Sequence, residues 1–258
     1  MALTAILLCL LIQRVFHFDS DSRQVNWFEY YYEWVKNSFP TTIQLPGFIR
    51  ALIILFPPLL LFIIIVGIVY YFVGVIGYYV LTLLILWYCL DLRPLAQLPE
   101  KETFQKITDK SYQNIFATIF WLLLFGVIGV VIYKLVIYLR EQVDSEPEEE
   151  NVSAITITVA KVQGVLDWIP IRLLGLTYAL VGHFSRVFKL WHQYFVTGLV
   201  SGREKLAECG LLAVDLAEAQ SSEVLTAEQL EAFQGLINRS LLIWLVAIAL
   251  FTIGMWFG

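Results

Sequence analysis

The stretch ALIILFPPLLLFIIIVGIVYYFVGVIGYYVLTLLILWYCL, residues 51–90, contains no Asp, Glu, Lys, Arg or His, and it decides the fold class. A single helix over this stretch would be roughly 60 Å long, whereas a bilayer core is crossed by about 20 helical residues. Because unpaired backbone groups cannot lie in lipid, the stretch predicts two membrane helices, 50–70 and 71–90, folded into a hairpin. The turn is expected near Tyr70-Tyr71 or between Gly74 and Gly77.

The composition agrees with an integral membrane protein. The 258 residues are 59% hydrophobic and 15% charged, whereas soluble domains carry about 25% charged residues. The length fits one integral membrane domain, residues 1–258, with modest helices outside the bilayer. The three cysteines and three histidines are widely spaced and give neither a disulfide framework nor a metal motif. We expect membrane lipid as a partner, and no nucleic acid, metal or cofactor.

Four further segments are candidate membrane spans, which gives an all-α protein with five or six spans: 2–18, 115–139, 165–184 and 240–258. The first is interpreted as a retained helix because Arg14 follows its apolar run, whereas a secretory signal places basic residues before that run. Since Gln13 and Arg14 interrupt it, an interfacial helix remains an alternative. In 115–139 the lysine at position 134 is expected to extend toward the membrane surface.

Segment 165–184 contains Asp167 and Arg172, so two interpretations are open: a membrane span, or an amphipathic helix at the interface. Charged residues inside a span are costly and are usually paired or functional. If the segment crosses, most basic residues share one side of the membrane, which the positive-inside rule favours. That arrangement places residues 140–164, with their acidic run, on the opposite side from 91–114 and 185–239.

Residues 185–239 are expected to form a helical region on the soluble side. Ser201-Gly-Arg-Glu204 and Thr226-Ala-Glu-Gln229 both match the capping box, in which a hydroxyl and an acid or amide three positions later satisfy each other's backbone amides. The first box predicts a helix to about Ala219. The second predicts a helix that continues into the last span. Together with the aromatic-rich residues 27–34, these elements make up the interfacial and cytoplasmic amphipathic helices.

The residues most suggestive of a binding site are Asp167, Arg172 and His183. Pro170 lies between the first two and can bend or start a helix, which would bring a carboxylate and a guanidinium together. A guanidinium in that position can hold a phosphate or carboxylate through two hydrogen bonds. The alternative is a structural Asp–Arg pair that neutralises two costly charges. Phosphate-loop, dinucleotide, zinc-protease and serine-hydrolase motifs are absent from the sequence.

The sequences VLDWIPIRL at 165–173 and GLTYALVGH at 175–183 resemble the signature of the AmpE family and, more widely, of the AmpE/CobD (CbiB) superfamily. Further similarity lies in residues 8–18, in Phe120-Trp121, and in residues 238–254. The resemblance implies a multi-pass inner-membrane regulator of Gram-negative bacteria, linked with β-lactamase induction, signal transduction and peptidoglycan recycling. It also implies a muropeptide or phosphate-bearing ligand, or a protein partner in the pathway of the amidase AmpD.

The CobD branch of the superfamily is a cobinamide-synthase type of enzyme that uses ATP, and it is the second hypothesis. The resemblance implies that members of that branch carry Glu, Asn and Asp just before the Phe-Trp pair. Here residues 112–120 keep Asn114 and no carboxylate, while magnesium phosphates require anionic ligands. We therefore favour a binding protein without catalytic residues, with Asp167, Arg172, His183 and Asn114 as candidate ligand-binding residues. A small-molecule transporter with a charged pair inside the membrane is the third hypothesis.

Overall fold

The computed structural model describes residues 2–15, 27–39, 45–90, 103–145, 150–195, 202–216 and 226–257. These parts of the chain form helices and no strand, which confirms the all-α fold class. The helices are α1 (Ala2–Val15), α2 (Trp27–Ser38), α3 (Gly47–Cys89), α4 (Phe104–Ser111), a π-helical turn (Tyr112–Phe116), α5 (Ala117–Ser145), α6 (Glu150–Val181), α7 (Phe184–Phe195), α8 (Gly202–Ala213) and α9 (Ala227–Phe257).

Helix α3 is the predicted hairpin, and its turn lies at Gly74. This glycine has φ 70° and ψ −152°, a backbone conformation that is essentially restricted to glycine. The first arm starts beside α2, where the Tyr31 hydroxyl donates a 3.0 Å hydrogen bond to the carbonyl of Ile54. The second arm also ends near α2. Tyr88 of this arm hydrogen bonds to Tyr138, and the ring of Tyr138 packs against that of Phe28 in α2. Of the two expected turn positions, the glycine-containing one is therefore used.

A second reversal, which the sequence interpretation missed, lies at Gly126 in α5, with φ 65° and ψ −154°. The side chains of Asn114 and Lys134 meet at 2.8 Å across it, and the rings of Trp121 and Tyr133 stack with centroids 6.4 Å apart. The prediction of one uninterrupted span over 115–139 is thus wrong. The second arm returns toward α4, so that residues 140–145 lie on the same side as 110 and not on the opposite side.

The apolar surface of the described helices is that of a membrane protein. Four segments are long and apolar enough to cross a bilayer: Gly47–Cys89, Phe104–Ser145, Ala154–Val181 and Ala227–Gly254. Large apolar side chains are exposed beside the first turn, with Tyr71 at 83% and Phe72 at 77% of full exposure. The third segment begins before the predicted 165–184, because α6 is continuous from Glu150. Residues 155–158, in which Ile and Thr alternate, are part of this helix.

The region predicted for the soluble side is helical and packs closely against the second half of α6. In α7, the Trp191 indole donates to the carbonyl of Arg172 at 2.9 Å. In α8, Gly210 faces the rings of Phe104 and Phe233. The second capping box is confirmed, since the Thr226 amide donates to Gln229 Oε1 at 2.9 Å and the Gln229 amide donates to Thr226 Oγ1 at 3.4 Å. Ser201 of the first box lies outside the described residues, and α8 ends at Ala213 rather than near Ala219.

Candidate ligand-binding site

The carboxylate of Asp167, in the middle of α6, is the centre of a buried polar cluster. Its side chain accepts four hydrogen bonds and is only 3% exposed. Oδ1 accepts from the Tyr112 hydroxyl at 2.7 Å and the Tyr133 hydroxyl at 2.8 Å. Oδ2 accepts from Arg203 Nε at 3.0 Å and from Arg203 Nη2 at 2.7 Å. Such full pairing is what allows a carboxylate to be ionised in an apolar interior.

Two irregularities of the 104–145 segment bring these partners together. The first is the π-helical turn, whose wider winding presents the successive residues Tyr112 and Gln113 to Asp167 and Arg203. Single π-turns inside α-helices are frequent at functional sites. The second is the reversal at Gly126, which carries Tyr133 back to the Oδ1 atom that Tyr112 already contacts.

Arg203, near the start of α8, supplies the positive charge. Burial of its guanidinium lowers its pKa, but the adjacent Asp167 carboxylate more than offsets this effect, so the pKa is held above its ordinary value. With the amide of Gln113 oriented so that its oxygen faces Arg203, that oxygen accepts from Nη1 at 2.7 Å and from Nη2 at 3.1 Å. The guanidinium therefore joins α8 to both α6 and the π-helical turn.

Further polar side chains lie on the 104–145 segment, which also carries both tyrosines. Lys134 is only 6% exposed, and its ammonium donates to Asn114 Oδ1 at 2.8 Å, so it does not extend to the membrane surface as predicted. Asp109 and Glu141 lie within range of the charge on Arg203. Asp109 Oδ1 is buried and has no hydrogen-bond partner among the described residues. The cluster can thus offer both an arginine and a carboxylate oxygen to a polar ligand.

The four predicted site residues are only partly brought together. Asp167 is the centre of the cluster, whereas Asn114, next to Gln113 in the π-helical turn, hydrogen bonds to Lys134. Arg172 does not pair with Asp167. Its Nη1 donates to the carbonyl of Trp168 at 2.8 Å, and its guanidinium lies 4.2 Å from the centroid of that indole. Because α6 is not broken at Pro170, the two side chains, five positions apart, leave the helix in different directions.

His183 is exposed and lies in the connection between α6 and α7. It follows Asp167 by sixteen positions in sequence, which corresponds to roughly 24 Å along a helix. It is therefore not part of the cluster. Its predicted role as a ligand residue remains a separate prediction.

Sequence interpretation missed Arg203, the two tyrosines and Asp109. Arg203 forms part of a capping box, and nothing in the sequence around it indicates a partner 36 positions earlier. Asp109 lies just before residues 112–120, which contain no carboxylate. One signal was available: Asp109 and Gln113 are four apart, so that on a helix they share a face directed at one partner. Among the described residues, no group of three or more His, Cys, Asp or Glu side chains could hold a metal ion.

Comparison with known proteins gives two distant curated relatives and one family. The cobalamin biosynthesis protein CobD of Stutzerimonas stutzeri (strain A1501) is 28% identical over 109 residues, which cover 40% of this chain and 35% of that protein. The CobD of Chromobacterium violaceum is 27% identical over 120 residues, covering 45% and 37% respectively. The matched regions are thus well under half the length of these relatives, and no solved structure matches.

The family described as regulatory signalling modulator protein AmpE matches residues 100–256. This range contains more than half of the chain, together with all the described residues of the Asp167 cluster. The resemblance drawn from 165–183 is therefore confirmed at the level of the family. The chain belongs to the AmpE family of regulatory membrane proteins.

Proposed function

We propose that this protein is an inner-membrane regulator that links cell-wall recycling to β-lactamase induction in a Gram-negative bacterium. The observation that carries the proposal is the family match over 100–256, which includes Tyr112, Tyr133, Asp167 and Arg203. The multi-pass apolar architecture is consistent with a protein that receives its signal at the membrane.

The signal would act on the contact between Asp167 and Arg203. A regulator needs an element with two arrangements that a ligand or partner stabilises to different degrees. Arg203 belongs to the short helix α8, whereas Asp167 and Tyr133 belong to the long helices α6 and α5, and Tyr112 belongs to the π-helical turn. A muropeptide carboxylate or a phosphate that competes with Asp167 for the guanidinium would release α8 from α6. A protein partner of the AmpD pathway could recognise α8 in its released position.

The test is complementation of a deletion strain that carries an inducible β-lactamase. We expect the deletion to alter the induction curve and the muropeptide profile, and the wild-type gene to restore both. Asp167→Asn and Arg203→Gln should restore neither, while the matched control Asp144→Asn, which changes an exposed carboxylate paired with Arg140, should restore both. An induction curve and muropeptide profile that the deletion leaves unchanged would refute the proposal.

A second candidate is an enzyme of the cobinamide-synthase type. It is supported by the similarity to two CobD proteins. It is also supported by Asp109, which lies within range of the charge on Arg203 and supplies a carboxylate close to residues 112–120; its Oδ1 has no hydrogen-bond partner in the described part of the chain. Rescue of a cobalamin-synthesis mutant, lost again in Asp109→Asn, would favour this enzyme. Absence of rescue by a protein that is present in the membrane at normal level would remove it.

A further inference from the structure

The outward face of α6 is apolar where a soluble protein would be polar. Exposed side chains recur at positions 165, 168, 169, 173 and 180, which is the spacing of one helix face. We call this set the outward stripe; its members are Val165, Trp168, Ile169, Leu173 and Leu180. An exposed apolar surface of this extent indicates contact with lipid or with another protein.

Helix α7 continues this surface. Phe184 and Phe188 are 51% and 36% exposed, and their rings stack with centroids 5.1 Å apart. Phe188 stacks in turn on Trp191, whose indole is hydrogen bonded to the backbone of Arg172 in α6. The exposed aromatic edge of α7 is thus fixed beside the outward stripe.

Basic side chains accompany this apolar surface. The α7 sequence FSRVFKLWHQYF contains an arginine, a lysine and a histidine and no acidic residue. Arg186 pairs with Asp215. Lys189 and His192 are exposed, and the ring of His192 lies 6.4 Å from that of Phe188. Arg172, part-exposed within the outward stripe, lies over the ring of Trp168. Aromatic rings beside lysine and arginine are typical of helices that contact the headgroup zone of a bilayer.

We propose that the outward stripe and the edge of α7 bind anionic phospholipid, with Arg172 and Lys189 contacting the headgroup phosphate. The apolar residues provide the contact with acyl chains, and the absence of acids on α7 provides the preference for negative charge. A lipid is favoured over a protein partner because the outward stripe lies on α6, whose residues Ala154–Val181 are long and apolar enough to span a membrane. This inference does not depend on the proposed regulatory function.

The test uses the full-length protein in detergent, with phosphatidylglycerol and phosphatidylcholine as the two lipid probes. Native mass spectrometry counts the lipids retained, and the melting temperature is followed as each lipid is added. We expect stronger retention of phosphatidylglycerol. Each cation removed should lower its affinity about fivefold, because one basic side chain near an anionic surface contributes about that factor.

The variant is Arg172→Gln with Lys189→Gln, and the matched control is Lys106→Gln with Arg239→Gln, which removes two exposed charges elsewhere. The first double variant should lose the preference for phosphatidylglycerol, and Arg172→Lys with Lys189→Arg should keep it. Equal loss in the control pair would show a general charge effect and overturn the proposal. Equal retention of both lipids by the wild-type protein would also overturn it, and would leave a protein partner as the occupant.

Discussion

Arg203 of α8 donates two hydrogen bonds to one oxygen of Asp167, at 3.0 and 2.7 Å, while two tyrosines donate to the other oxygen. One carboxylate thus connects three separate parts of the chain. Arg203 is the second residue of α8, which begins at Gly202.

Removing one partner of this pair should be much more costly than removing a surface charge. An uncompensated buried charge destabilises a fold by about 3–5 kcal/mol, so Arg203→Gln and Asp167→Asn should each lower the melting temperature in detergent markedly. The double variant should lose less than the sum of the two. Asp144→Asn, which breaks an exposed pair, should cost about 1 kcal/mol or less. Losses of equal size at Asp144 and Asp167 would contradict the buried pair.

The two tyrosine hydroxyls should contribute separately. Tyr112→Phe and Tyr133→Phe each delete a hydrogen bond to a charged group, which is expected to cost about 1.5–3 kcal/mol. Tyr178→Phe is the matched control, because the Tyr178 hydroxyl is equally buried and has no hydrogen-bond partner in the described part of the chain. Its removal should be neutral or stabilising. The comparison is made by denaturation of the three variants in the same detergent, and three indistinguishable curves would count against the role of Asp167 Oδ1.

The two reversals should require glycine. Alanine at Gly74 or Gly126 must adopt φ of 70° or 65°, a region that costs a residue with a side chain of the order of 1–3 kcal/mol. At Gly126 an added Cβ would also lie 3.0 Å from the Tyr78 hydroxyl. Gly67→Ala is the control, since Gly67 has open space and normal helical geometry; alanine there should stabilise the helix slightly. Thermal melts test this, and a harmless Gly126→Ala would contradict the hairpin geometry.

Cys209 should resist alkylation in the folded protein. Burial raises the pKa of its thiol to about 12, with Glu208 adding to the effect and Lys205 opposing it. The thiolate is the reactive form, so the raised pKa keeps the thiol protonated at neutral pH. In a Cys9→Ala, Cys89→Ala variant, maleimide labelling should stay slow as the pH rises from 7 to 9 and become fast in denaturant. Rapid labelling at pH 7 without denaturant would contradict the packing of α8.

The sequence predicted the α3 hairpin because an uncharged stretch of that length has only one solution in a bilayer. The sequence did not predict the reversal at Gly126. Glycine is common inside apolar helices, and its backbone angles cannot be inferred from the composition around it. For the same reason the sidedness of 140–145 was wrong. The positive-inside rule assigns flanking basic residues to opposite sides only when the segment between them crosses once, whereas this segment turns back at Gly126.

The candidate site shows the same limit at the level of side chains. Asp167 could be identified because a carboxylate in an apolar segment needs a partner. The nearest arginine in sequence, Arg172, was the natural choice. The actual partner comes from another helix, 36 positions away, and such a pairing depends on tertiary packing that local spacing does not encode. Asn114, which the resemblance suggested, follows Gln113 in the π-helical turn and hydrogen bonds to Lys134.

The turns at Gly74 and Gly126 also bear on how the chain enters the membrane. Each turn returns its second arm to the side from which the first arm started, and the residues around both turns are uncharged. In the first hairpin, a pair of arms that enters turn first carries no Asp, Glu, Lys, Arg or His through the lipid, because Arg50 remains behind. In the second hairpin, Lys134 enters with the arms and is hydrogen bonded to Asn114. Biogenesis of these two hairpins would then need no translocation of a polar loop.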